Sequence, residues 1–170
     1  SNRYEVLLTK YNISKDENTT IVSLNYDTVL ESALCHAGIP WHYRHVSTIV
    51  PRNPCSIRVL KPHGSLNWRF HGNKPPIEIG TNYCMSPVKC ESREDNDFDE
   101  QMIIPPTQIK QTIMVAETQT PEVQKLFREI WTEAVGALHT ASRVFVIGYS
   151  FPSTDLHLRT MFHLASRKRE

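Results

Sequence analysis

The 170-residue chain, 39% hydrophobic and 22% charged, has the length of one domain and the composition of an ordinary globular protein. Nineteen Lys+Arg against eighteen Asp+Glu leave a net charge of +1, which argues against a nucleic-acid partner held mainly by phosphate neutralisation. Its six glycines stand apart from one another and supply neither G-x-G-x-x-G nor a P-loop, so a nucleotide enzyme of the glycine-loop kind is excluded for this stretch taken alone.

The N-terminus, SNRYEVLLTK, lacks the basic start and long apolar core of a signal peptide, and the longest purely apolar run, Val144 to Ile147, is too short to cross a bilayer. These features lead us to expect a cytoplasmic location, no membrane partner and free thiols at Cys35, Cys55, Cys84 and Cys90. None of the four forms C-x-x-C, and no metal site is expected.

In chain order, Tyr4 to Leu8 reads as a helix or a strand. Thr20 to Leu24 is short, β-branched and non-alternating, as expected of a buried strand. A helix follows Asp27, its expected N-cap, and runs through Val29, Leu30, Ala33, Leu34 and Ala37 to a stop at Gly38. His45 to Val50 reads as a more exposed strand and Ile57 to Leu60 as a buried one. The stretch from Phe70 to Glu100, rich in Pro, Gly, Asn and Cys and then acidic, reads as an irregular surface insertion. Met102 to Ile104 is a third buried strand. Thr120-Pro121-Glu122 opens a helix whose apolar positions, Val123, Leu126, Phe127, Ile130, Trp131, Ala134, Val135 and Leu138, recur at helical spacing and leave Lys125, Arg128, Glu129 and Glu133 in water. Arg143 to Ile147 is a fourth buried strand. A last helix begins near Ser153-Thr154-Asp155 and ends in Arg167-Lys168-Arg169. Strands alternating with helices define an α/β class with a Rossmann-like, mainly parallel sheet and flanking helices.

In such sheets ligands gather at the carboxyl ends of the strands. Three strand ends here carry polar turns: Leu24-Asn25-Tyr26-Asp27, Lys61-Pro62-His63-Gly64-Ser65-Leu66-Asn67-Trp68 and Gly148-Tyr149-Ser150 through Asp155. Each turn has an ordinary structural explanation. Asn25 and Asp27 suit turns and caps, His63 suits a turn, and Gly148 and Ser150 suit a strand exit. Three such turns in one chain bring the ligand-site reading level with the structural one, since neighbouring strands would converge an amide, an imidazole and a Gly-Ser turn on one crevice. Competing sites fare worse. Asp95 to Asp99 imitates a calcium loop, but Glu100 replaces the required glycine and Pro106 the closing carboxylate. His36, His42, His45 and His71 lack metal spacing, and Ser150 lacks a nucleophile elbow.

The ordered set Ser23-Leu24-Asn25-Tyr26-Asp27, Lys61-Pro62-His63-Gly64-Ser65 with Trp68, Ile104-Pro105-Pro106, and Ile147-Gly148-Tyr149-Ser150 with Asp155 resembles the sirtuin-like domains of bacterial anti-phage defence proteins, relatives of the NAD-dependent deacylases. The resemblance runs from about residue 20 to about residue 162. It implies that Asn25 and His63 match the catalytic pair, and that Asn25, Asp27, Gly64, Gly148 and Ser150 match positions that hold NAD. It leaves Asp155 without an assigned role. NAD would be the substrate, cleaved to nicotinamide and ADP-ribose. Relatives often self-associate or are fused to sensor domains.

Two departures accompany the resemblance. The family places a strand and a glycine-rich loop before the Asn motif, whereas 24 glycine-free residues precede Asn25 here, so residues 1–170 read as one sirtuin-like domain or its C-terminal portion. Deacylases carry a four-cysteine zinc module where this chain has only Cys84 and Cys90, which makes the NAD hydrolase the closer relative and a protein deacylase the more distant one. The alternative from another class is a non-catalytic module that binds NAD, ADP-ribose or a protein. The hydrolytic chemistry suits the pair: nicotinamide already leaves as a neutral group from a cationic ground state, so no strong acid is needed. An amide that both donates and accepts, and a base whose unperturbed pKa lies near neutrality, suffice.

Overall fold

Three short β-branched or aromatic runs build a parallel sheet, the element that positions everything below. The computed structural model describes residues 3–11, 13, 19–43, 57–71, 74–79, 100–103, 121–150 and 155–166. These fall into two units, Ser1–Ile103 and Ile104–Glu170.

In the first unit, helix α1 (Arg3–Lys10) precedes β1 (Thr20–Val22), α2 (Val29–His36), β2 (Trp41–Tyr43) and β3 (Ile57–Leu60). The central strand is β3, with β1 and β2 parallel to it on either side in the order β1-β3-β2. Val22 lies opposite Leu60 and Tyr43 opposite Val59, so the carboxyl ends of all three strands emerge on the same edge. The first expected strand ends two residues early as a ladder, at Val22, although Ser23 N–H still donates to Leu60 O at 2.9 Å. Helix α2 begins after Thr28 rather than Asp27 and ends at His36 with Ala37 as its C-cap, followed by Gly38, whose φ of +65° is the left-handed geometry that glycine adopts without strain. Its inward face carries Leu30, Ala33 and Leu34, all buried, and α1 packs against it with Leu8 buried.

Beyond β3 the chain turns once and enters a second sheet. Here β4 (Gly64–His71) pairs antiparallel with both β5 (Lys74–Ile79) and β6 (Glu100–Ile103), in the order β5-β4-β6. Two expectations change as a result. The stretch from residue 70 does not begin as an irregular insertion: β4 runs on to His71 and β5 follows. Likewise the run at Met102 is an outer antiparallel strand rather than a member of the parallel sheet. Pro75 and Pro76 lie in β5, an edge strand beside the register shift in the β4–β5 ladder between Arg69 and His71, and edges and such irregularities are where a sheet tolerates proline. Residues 80–99, including the acidic run, lie outside the described residues, as does the strand expected at His45 to Val50. The two sheets are tied by aromatic contacts. The Trp68 ring of β4 meets Tyr43 of β2 edge-on at 5.2 Å, and Tyr43 meets Trp41 in the same way at 5.0 Å.

The second unit holds α3 (Pro121–Thr140) and α4 (Leu156–Ser166), packed against each other. The expected apolar face of α3 buries Val123, Leu126, Phe127, Ile130 and Ala134, and leaves Lys125 and Arg128 exposed. Near the ends of the two helices, His139 Nδ1 lies 3.0 Å from the Ala165 carbonyl. The strand expected over Arg143 to Ile147 is not formed: the segment has no ladder, and Val144, Phe145, Val146 and Ile147 are each about half exposed. The composition of a strand expresses a preference for pairing and burial but does not supply the neighbour, and no other strand occurs among the described residues of this unit. No helix among the described residues is long and apolar enough to cross a membrane.

Candidate functional site

The turns that follow β1 and β3 lie side by side because their strands are hydrogen-bonded neighbours. After β1, Asp27 Oδ1 accepts the Val29 N–H at 3.1 Å, an Asx-type turn that feeds the chain into α2. After β3, Gly64 N–H closes a turn on Lys61 O at 3.0 Å, with Pro62 at the position its fixed φ suits and Gly64 at φ +80°. His63, the fourth residue after Val59, is thereby folded inward and is only 2% exposed.

Several bonds then stitch one turn to the other. Leu66 N–H donates to Tyr26 O at 2.8 Å, and Ser65 Oγ reaches the same carbonyl at 3.4 Å. Lys61 Nζ donates to the Asp27 carbonyl and to Ser65 Oγ, the latter at 2.9 Å. On its remaining side Lys61 forms an ion pair with Glu31 Oε1 of α2 at 2.9 Å, and the Tyr43 hydroxyl donates to that same carboxylate oxygen at 2.6 Å. Lys61, Glu31 and Ser65 have no exposure to solvent. Burial pushes the Lys61 ammonium below its usual pKa range, opposed first by Glu31. Burial, and then the Glu31 carboxylate, push the Tyr43 phenol far upward.

Of the site residues expected from sequence, Asn25, Asp27, His63 and Gly64 are therefore held on one edge of the parallel sheet in the first unit. The Asn25 and Tyr26 side chains are exposed there, at the carboxyl ends where α/β sheets take ligands. Gly148 and Ser150 belong to the second unit. Gly148 has φ +70° with open space where a Cβ would stand, and Ser150 is exposed.

Asp155, whose role the sequence leaves open, has a clear one. Its Oδ1 accepts the Leu158 N–H at 3.1 Å as the cap of α4, while its Oδ2 accepts the Tyr149 hydroxyl at 2.9 Å. One carboxylate thus starts the helix and pins the Gly148-Tyr149-Ser150 segment to it. Burial first and Asp155 second push the Tyr149 phenol up to about 12. Asp155→Ala is expected to cost about 1–2 kcal/mol, from the lost cap and an orphaned donor, and to bring the Tyr149 titration down without restoring its ordinary value. Thermal unfolding and ultraviolet titration of the phenol check the two parts.

Sequence reasoning missed Glu31 and the inward role of Lys61. A signal for them exists. Glu31 falls on the buried face of α2 between Leu30 and Leu34, and an acid there demands a buried cation. Lys61, at the end of the neighbouring strand's apolar run, is the complement. The cysteine expectation needs correction as well. Cys35 is disulfide-bonded, and its Sγ also accepts the Trp41 Nε1–H at 3.3 Å. The state of a thiol follows from what the fold places beside the sulfur, which sequence spacing does not report. Cys84 and Cys90 lie outside the described residues, and among the described residues no cluster of three or more His, Cys, Asp or Glu side chains is arranged to hold a metal ion.

The family model of the SIR2-like domain matches residues 19–170 of this chain, which takes in both polar turns and the Gly148 segment. The chain belongs to the SIR2-like domain family. No curated protein and no solved structure matches it. Membership in this NAD-related family agrees with the α/β sheet and assigns the turn edge of β1 and β3 a place within the SIR2-like domain. At that edge the chain presents the exposed Asn25 and Tyr26 side chains, the buried His63 and Gly64 at φ +80°.

Proposed function

We propose that this SIR2-like domain binds NAD as its substrate and hydrolyses it to nicotinamide and ADP-ribose. The observation that carries the reading is the stitched pair of turns, which fixes Asn25 and His63 on one sheet edge. The substrate supplies a glycosidic bond whose leaving group departs without protonation. What the protein must add is orientation and a proton acceptor. The Asn25 amide orients water and ribose hydroxyls, since it donates and accepts at once. The His63 imidazole takes the proton of the attacking water as its oxygen bonds to the ribose carbon and the bond to nicotinamide breaks. Asp27 and Gly64 shape the same edge, and by the resemblance Gly148 and Ser150 match positions that hold NAD.

On the resemblance to defence proteins we set this activity in the cytoplasm, in an anti-phage or toxin response, with a fused sensor domain or self-association as its trigger. One observation favours a second reading. His63 at 2% exposure is poorly reached by water, which suits a module that binds NAD or ADP-ribose without cleaving it.

The test is nicotinamide release from NAD by the full chain, followed by chromatography, together with calorimetry against ADP-ribose. Release of nicotinamide and ADP-ribose in equal amounts supports hydrolysis. Binding without release selects the second reading. Neither release nor binding at millimolar ligand removes both.

A further inference from the structure

A lysine in a loop that meets a dinucleotide would ordinarily be read as a phosphate ligand. The geometry excludes that here, because the Lys61 ammonium has no exposure and its donors point to Glu31, Ser65 and the Asp27 carbonyl. An ammonium placed this way connects three elements: the turn after β1 through Asp27, the turn after β3 through its own backbone and Ser65, and helix α2 through Glu31. Tyr43 of β2 closes the cluster by donating to the same Glu31 oxygen. A hydrophobic plug would fill the same volume with none of these directional bonds. What the ion pair adds is a fixed registration of one turn on the other, and those two turns carry Asn25 and His63.

We propose that the buried Lys61–Glu31 pair, with Ser65, is a positioning device that sets the Asn25 turn against the His63 turn. The proposal rests on the reading of Asn25 and His63 as the reacting pair, while the device itself is defined by the two turns. Lys61 does not touch substrate; it acts through the Asp27 carbonyl and the Ser65 hydroxyl on the Tyr26–Leu66 bond beside them. Misplacement of reacting groups by about an ångström is enough to lower turnover about 10²-fold.

The decisive variant is Lys61→Met/Glu31→Leu, which removes both charges together at similar volume and leaves neither ion unpaired, so the fold is expected to survive. Two readouts separate positioning from bulk stability. Amide hydrogen exchange at Leu66, the N–H that bonds Tyr26 O, is expected to speed up about tenfold relative to core amides such as Leu34 and Val59. In nicotinamide release, kcat is expected to fall about 10²-fold while KM stays within about threefold.

A folded double variant whose Leu66 exchange and kcat both match the wild type overturns the proposal. Should the double variant not fold, Ser65→Ala carries the test, since it removes one acceptor of Lys61 and the second bond to Tyr26 O; unchanged Leu66 exchange in it overturns the proposal equally. A wild-type chain that releases no nicotinamide overturns the hydrolase reading instead, and the exchange comparison alone then decides whether Lys61 holds the turns.

Discussion

Replacing Glu31 alone by leucine should lower the unfolding free energy by about 3–5 kcal/mol at neutral pH, the largest stability effect expected of any single change in the first unit. The reason lies in what remains rather than in what is lost. The Lys61 ammonium stays fully buried, and with Glu31 gone its other partners are neutral oxygens of Asp27 and Ser65. A buried charge stripped of its counterion bears the full desolvation penalty, whereas removing both partners together does not. Domains of this kind have about 5–15 kcal/mol in total, so the single variant should sit near the edge of folding. The check is a urea titration in which the midpoint falls with an unchanged slope. A loss below about 1 kcal/mol would mean that water or a relaxed backbone reaches Lys61, and the buried pair would then be of little account.

The same variant should recover on raising the pH. In the native protein the folded-state pKa of Lys61 lies below its ordinary value of 10.5. Between those two values the unfolded chain binds more protons, so this group makes stability rise with pH across that window. Tyr43 acts in the opposite sense. Its folded-state pKa lies above the ordinary 10.0, so its contribution is complete below that pH and is lost above it. Removing Glu31 removes the largest influence that holds the Lys61 pKa up, moves its deprotonation to lower pH, and lets the lysine become neutral sooner. The gap between Glu31→Leu and wild type should therefore narrow as the pH is raised toward the ordinary lysine value of 10.5, read below pH 10.0 where tyrosine ionisation intervenes. A gap that stays constant over that range would show that Lys61 is not the source of the deficit.

What could be read from the sequence divides along the line between local and non-local causes. Helix α2 and its stop at Gly38 were legible because the apolar face and the left-handed glycine follow one another in a single short stretch, though the start falls after Thr28 rather than Asp27. The twenty-residue α3 was legible because its period repeats many times over. The runs at Thr20 and Ile57 were legible as strands, since a buried parallel strand writes its burial into consecutive β-branched residues. Trp41–Tyr43 was not: three residues are too few for any period, and its status comes from lying parallel to β3. The antiparallel sheet was missed for the same reason, because β4 pairs with β6 across some thirty intervening positions that no local pattern reports. At Val144–Ile147 the composition of a strand is present and the ladder is not. Asn25 and His63 could be placed on one sheet edge because both follow strand ends, while their proposed roles come from the resemblance. The Lys61–Glu31 pair was missed, because half of it sits in a helix that reads as apolar and its one signal is an acid between buried leucines.

Replacing His63 by glutamine or alanine should lower nicotinamide release about 10²–10⁴-fold, the usual range for loss of a general base. The two variants ask different questions. His63 is buried in a proline turn, so alanine leaves a void there and is expected to cost stability as well as turnover. Glutamine keeps a polar side chain of similar reach but cannot take a proton from water at neutral pH, so it isolates the chemical step. For His63→Gln the loss should fall in kcat, with ADP-ribose affinity by calorimetry within a few-fold of wild type, because the interaction removed matters only as the proton moves. A loss confined to KM would recast His63 as a binding residue, and the binding-module reading would gain accordingly. Turnover equal to wild type in both variants would remove His63 from the mechanism and leave the Asn25 amide as the group that orients water on this edge of the sheet.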